Sequence, residues 1–158
     1  MDQEMLRTLQ DAGVLHDIGK IGIKDDILLK STPLTPDEAK IMQQHPVIGE
    51  AIVKPVRSLQ NVVALVRHHH ERFDGTGYPS GLKGDAIPLG ARILAVADTY
   101  DAMVTDRPYR KRLSLDIAIA ELKKHAGVQY DPVVVQAFLQ VLAEKEQRRA
   151  AAADSKPA

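Results

Sequence analysis

Apolar positions along this 158-residue chain recur at three- and four-residue intervals, the signature of amphipathic helices and not of strands. Met5, Leu6, Leu9 and Ala12 mark one face of a first helix, which Gly19 stops. A second helix has the clearest start in the sequence. Thr35 stands as N-cap, Pro36 takes the first helical position, and Glu38 three residues on completes a capping box, so the helix is predicted to run to His45. Pro46 either kinks that helix or opens the next, whose Ile48, Ala51 and Ile52 precede a stop at Pro55. A further helix is predicted over 59–70, and another over 91–104 with Ile93, Ala97, Tyr100 and Val104 on one stripe. Ser114 caps a helix that ends at Gly127, and Asp131-Pro132 opens a last one. Val133, Val134 and Val135 alone would suit a strand, but the helical start and the spacing of Ala137, Phe138, Val141 and Leu142 decide for helix.

Residues 71–90 interrupt this pattern. They hold Gly75, Gly77, Gly81, Gly84 and Gly90 together with Pro79 and Pro88, a long stretch without periodicity. Loops beyond ~12–15 residues inside a compact domain commonly carry function. The chain length suits one domain, predicted over 1–147, with the alanine-rich polar stretch 148–158 as a disordered tail.

Composition narrows the chemistry. Twenty-one basic and twenty-one acidic residues cancel, which removes the electrostatic footprint of a general nucleic-acid or membrane-surface binder. With no cysteine, disulfides, thiolate zinc sites and cysteine nucleophiles are excluded, so any metal must rest on imidazole and oxygen. The longest apolar runs, 62–66 and 93–97, are five residues each, far short of the ~18 that a membrane span needs. Asp2, Glu4 and Arg7 near the start are the wrong order for a secretory signal, and a cytoplasmic location is expected.

His16 and Asp17 are neighbours at a helix end, with Lys20 one turn on. His68, His69 and His70 are consecutive, and at ~100° per residue only two adjacent ones can face a common site. Periodicity does not say which two. Asp98 and Asp101 lie on an otherwise apolar helix, where an unpaired carboxylate is costly to bury and calls for a cation. Taken singly, His45 reads as a helix-terminal residue before proline, and His125 suits a helix C-terminus. Residues 107–112 place four cations in six positions, either a solvated loop or a clamp for phosphate oxygens.

Taken in order, LHDIGKIGI from Leu15, PLTPDEAKIMQQHPVIG, HHERFDGTGYPSGLKGDAIPLGARILAVADTYDAM, DRPYRK and the closing AGVQYDPVVVQAF resemble the HD-GYP family, a branch of the HD-domain metal-dependent phosphohydrolases. Gly77-Tyr78-Pro79 is the tripeptide that names it. The resemblance implies an all-α HD-domain helical bundle and hydrolysis of cyclic di-GMP to linear pGpG, with either pGpG or GMP as the end product. It implies two divalent ions, iron first, with manganese or zinc also compatible, ligated by His16, Asp17, His45, His69, His70 and Asp98. It selects His69 and His70 from the triple, because the family's paired histidines directly precede the Glu-Arg of the loop. Lys20 corresponds to a lysine contacting the scissile phosphate, and Arg107 and Arg110 to positions that hold the substrate. The glycine-tyrosine-proline loop implies contacts with diguanylate cyclase domains.

Family members usually carry a further helix upstream with another histidine ligand, which this chain begins too late to contain. The expectation is therefore weaker binding of one ion and slow or absent hydrolysis by this chain alone. Two rivals follow: a non-catalytic module binding ligand or protein through residues 75–84, and an HD hydrolase of another cyclic dinucleotide.

Overall fold

The computed structural model describes residues 2–106 and 111–154, and every regular element among them is helical. The all-α expectation therefore holds, and the single β-bridge, between Ala126 and Tyr130, belongs to no strand. Helix α1 spans Gln3–Leu15, capped by the Asp2 carboxylate, which accepts a hydrogen bond from Met5 N at 2.8 Å. A 3-10 turn at Ile18–Gly22 follows, then α2 at Asp25–Leu28, too short for its periodicity to show in the sequence. Helix α3, Pro36–Met42, begins with the predicted capping box: Glu38 N donates to Thr35 Oγ1, and Thr35 N donates to the Glu38 carboxylate.

Pro46 lies in the first turn of α4, His45–Val53, so it opens that helix. Helix α5, Gln60–His68, ends two residues before the predicted His70. Helices α6 (Leu89–Val104), α7 (Leu115–Lys124, capped by Ser114) and α8 (Pro132–Asp154) complete the order. Val133, Val134 and Val135 are helical. Helix α8 continues past Arg148 to Asp154, where composition predicts a disordered tail; residues 155–158 lie outside the described residues.

Two apolar clusters hold these helices. The first gathers Ala12, Val53, Val62, Leu65, Val66 and Leu94 from α1, α4, α5 and α6. The second gathers Val96, Met103, Ala118, Leu122, Tyr130, Val134 and Val135 from α6, α7, α8 and the turn before α8. Helix α6 belongs to both, since Leu94 and Val96 lie in different clusters. Each fully buried leucine or valine contributes roughly 1.5–3 kcal/mol by leaving water, so α6 ties the two halves together. Among the described residues no helix is long and apolar enough to cross a membrane.

Candidate metal centre

Four parts of the chain converge on one point: the end of α1, the start of α4, the end of α5 and the middle of α6. Glycine makes the first convergence possible. A Cβ on Gly19 would lie 1.8 Å from the His45 carbonyl oxygen and 2.5 Å from Gly49 N, so the turn after α1 rests directly on the α4 backbone. Any side chain at Gly19 would push the His16-Asp17 pair away from His45.

His45 and His69 are buried, at 2% exposure each. Their rings are fixed in the same way. His16 Nδ1 lies 2.8 Å from Gly13 O, His45 Nδ1 2.8 Å from Met42 O, and His69 Nδ1 2.7 Å from Val66 O, each three residues back. A carbonyl only accepts, so each Nδ1 is the donor and each Nε2 is turned toward the common site. Asp17 joins them: its Oδ1 lies 3.3 Å from His45 Nε2 and 4.0 Å from His69 Nε2, and its Oδ2 lies 3.4 Å from His16 Nε2. Lys20 Nζ donates to Asp17 Oδ2 at 2.6 Å.

Ligand atoms of Asp17, His45, His69 and His70 all lie within 4.8 Å of one another. His16 and Asp98 stand beside this group, with His16 Nε2 3.7 Å from Asp98 Oδ1 and the His16 ring 5.1 Å from the His69 ring. All six candidate ligands are thus neighbours. His68 lies outside, its Nδ1 3.3 Å from Glu71 Oε1. Asp101 is exposed and accepts from the Thr105 hydroxyl, and His125 pairs with Glu121. Arg107 and Arg110 lie outside the described residues.

The protonation states of the two consecutive histidines suit a cation. Burial first, then the neighbouring His70, pushes His69 down to about 3; burial and His45 push His70 down to about 4. Both are neutral at pH 7 and ready to donate lone pairs. Burial would raise Asp17, but His16, His45 and Lys20 together outweigh it and hold the carboxyl well below its usual range. The Asp17 and Asp98 carboxylates raise His16, and His16 in turn lowers Asp98.

Two features remain incomplete without a partner from outside. His16 Nε2 is buried and makes no hydrogen bond. His45 Nε2 and His69 Nε2 face each other at 3.3 Å while both Nδ1 atoms donate to carbonyls, so with both rings neutral two lone pairs would meet. A divalent ion satisfies all three nitrogens once it displaces the proton that Asp17 and Asp98 hold on His16, and the imidazole and carboxylate donors suit iron, manganese or zinc.

Sequence reasoning did not find two neighbours of this site. Tyr78 stacks on His70, with ring centroids 5.0 Å apart and planes at 30°, and Glu71 is buried just beyond the histidine pair. The signal for Glu71 was present, an acid at the end of an apolar helix, but its partners are nine and eleven residues away.

An HD domain family model matches residues 1–134. The cyclic di-GMP phosphodiesterase of Thermotoga maritima is 48% identical over 150 residues, covering 92% of this chain and 40% of that protein. The cyclic di-GMP phosphodiesterase response regulator RpfG of Xanthomonas campestris pv. campestris is 44% identical over 149 residues, covering 93% of this chain and 39% of its own length. The chain thus spans about two fifths of these curated relatives. A solved cyclic GMP-AMP specific phosphodiesterase of Vibrio cholerae shares the fold, with a TM-score of 0.69 at 20% identity over 90% of this chain and 39% of that one.

Proposed function

From the premise that this chain belongs to the HD-domain family and carries the Gly77-Tyr78-Pro79 signature of its HD-GYP branch, we propose that it is a metal-dependent phosphodiesterase hydrolysing cyclic di-GMP, with linear pGpG or GMP as the final product. One observation carries the reading: the two oxygens of Asp17 divide, Oδ1 toward His45 and His69, Oδ2 toward His16. A carboxylate so divided suits two ions. His45, His69 and His70 would serve one and His16 and Asp98 the other, with Asp17 shared. Iron is the first choice of metal, with manganese or zinc compatible with the same donors.

When bound, such ions supply positive charge that lowers the pKa of water and steadies the oxygens of an in-line displacement at phosphorus. The chain's own residues do the rest. Lys20, held at Asp17, is placed to offset charge growing on the phosphoryl oxygens. The attacking water bonds to phosphorus and gives up a proton as the opposite P–O bond to ribose breaks, and the departing ribose oxygen takes up a proton in exchange. Arg107 and Arg110 would grip the substrate's phosphates or bases as planar forks. A cytoplasmic setting fits a second-messenger substrate, and the loop at residues 75–84 is the surface offered to diguanylate cyclase domains.

The deciding experiment purifies this chain without oxygen, measures its metal content, and assays cyclic di-GMP beside cyclic GMP-AMP. Bound iron, with one of the two equivalents held more weakly, and slow turnover that favours release of pGpG are expected. Metal without turnover of either substrate would favour a binding module, and preference for cyclic GMP-AMP would move the substrate assignment. Arg107→Ala is expected to weaken cyclic di-GMP binding and leave metal content unchanged; unaltered affinity would return this arginine to the solvated loop.

A further inference from the structure

One buried carboxylate bonds the backbone of the loop that carries Tyr78 at two points. The Glu71 side chain is completely shielded from solvent. Its Oε1 accepts from Ser80 N at 2.8 Å and lies 3.3 Å from His68 Nδ1, while its Oε2 accepts from Leu82 N at 3.1 Å. Each oxygen therefore captures one backbone donor from the far side of the loop. Ahead of those two donors the chain lies flat on the residues just after α5: a Cβ on Gly77 would fall 2.2 Å from Arg72 N and 2.6 Å from the Glu71 Cα. Tyr78 N donates to His70 O at 3.2 Å, and the Tyr78 ring stacks on the His70 ring. His70, unlike His16, His45 and His69, has no bond from its ring nitrogens to a backbone carbonyl among the described residues.

We infer that Glu71 is a positioning residue for the metal centre: its carboxylate pins residues 80 and 82, the pinned loop presses Tyr78 onto His70, and the stack sets the His70 ring toward Asp17, His45 and His69. The other three histidines take their orientation from a carbonyl one turn back. His70 takes its orientation from the loop instead. Two N–H donors on two oxygens require a carboxylate, because a glutamine amide offers one acceptor oxygen and turns an NH2 toward the second donor. An aspartate is one methylene too short to reach both. The inference rests on the metal-centre reading above, and it assigns the histidine that links that centre to the loop.

The test titrates the metal-free chain with Co2+, whose visible absorption reports the number and arrangement of its ligands, so the readout does not depend on turnover. Glu71→Gln and Tyr78→Ala are expected to weaken Co2+ binding roughly 10-fold, the usual cost of losing a residue that orients a ligand, and to shift the spectrum. Tyr78→Phe keeps the stacked ring and is expected to bind as wild type does. Amide exchange at Ser80 and Leu82 is expected to quicken in Glu71→Gln and to stay slow in Tyr78→Phe. Freed Ser80 and Leu82 amides with wild-type Co2+ affinity and spectrum would overturn the inference. Should Glu71→Gln not fold, Tyr78→Ala binding Co2+ like Tyr78→Phe would overturn it equally. A wild-type chain that takes up no Co2+ overturns the inference and the metal reading together. The expected losses in a wild type without cyclic di-GMP turnover would support the inference and refute the hydrolase reading alone.

Discussion

Buried polar side chains collect in two places on either side of the α5 terminus, and the protein completes one and leaves the other open. On the loop side, Glu71 has both oxygens filled by backbone donors, and Asp131 accepts from Val133 N at 2.8 Å and from Arg92 Nη1 at 2.6 Å. One donor is left over there, the buried Arg92 Nε. On the histidine side, His45 and His69 bring their Nε2 atoms to within 3.3 Å of each other, and Asp17 and Asp98 add carboxylates, of which Lys20 meets one. Internal hydrogen bonding satisfies both carboxylates of the first group, whereas the second needs a cation. A buried polar group that the fold completes is a structural device, and one that it leaves incomplete points to a ligand.

The strongest test of that difference is to remove the shared carboxylate. Asp17→Ala is expected to lose both ions, because each oxygen serves a different set of histidines, and to fall to background hydrolysis. His45→Ala, which touches one set, is expected to keep one ion. Elemental analysis of the two variants decides, and full occupancy in Asp17→Ala would end the bridging assignment. Metal-free Asp17→Ala is expected to unfold at a denaturant concentration close to the metal-free parent, since its side chain is more than a third exposed and pairs with a similarly exposed Lys20, whereas His45→Ala loses a buried ring and its bond to Met42 O and is expected to unfold earlier.

The completed group should behave in the opposite way. Asp131→Ala strips the pair from Arg92, whose side chain is 14% exposed and keeps only the exposed Asp85, and it also frees Val133 N at the start of α8. Removing one partner of a buried pair costs about 3 kcal/mol at the low end of the usual range. Urea unfolding should show that loss equally with chelator and with metal. A loss seen only in the presence of metal would mean that the two groups are one network.

Helices and ligand candidates were legible where the determining contacts are local. The Thr35-Pro36-Glu38 start is a three-residue signal, and the helical ligand pattern of His16-Asp17 and the histidine triple is visible in a few consecutive letters. The end of α5 was placed two residues late, because apolar spacing does not show that Glu71 N bonds back to His68 O and turns the chain there. Contacts between distant segments left no trace in periodicity. Gly19 reads as a helix stop in the sequence, while in the fold its missing Cβ admits the His45 carbonyl. The carbonyl partners of His16, His45 and His69 likewise depend on where each helix ends, which sequence places only to within a turn.

Metal addition should stabilise the parent in proportion to occupancy. A ligand at 100 times its dissociation constant adds about 2.7 kcal/mol per site. Mn2+ titrated into the metal-free protein should therefore raise the unfolding midpoint of the parent and, by the same increment, of Asp131→Ala, while leaving Asp17→Ala unmoved. An Mn2+-dependent rise in Asp17→Ala would show that ions bind elsewhere on the chain.

The smallest effect belongs to a site remote from both groups and serves to calibrate them. Thr35 Oγ1 accepts from Glu38 N at 3.3 Å, and the Glu38 carboxylate accepts from Thr35 N at 2.6 Å and from Lys30 Nζ at 2.6 Å. Thr35→Ala removes only the hydroxyl, so Glu38 keeps its other two bonds and α3 keeps Pro36 in its first turn. Loss of an N-cap hydroxyl typically costs about 1 kcal/mol. Because α3 ends at Met42, whose carbonyl receives His45 Nδ1, fraying that reached the far end of this seven-residue helix would also loosen a proposed ligand. Fraying is expected to stop within the first turn, leaving Co2+ affinity unchanged while the urea midpoint falls. A drop in Co2+ affinity alongside the lost stability would show that α3 transmits order from its cap to His45, and that the histidine group leans on the surrounding fold more than its open valences suggest.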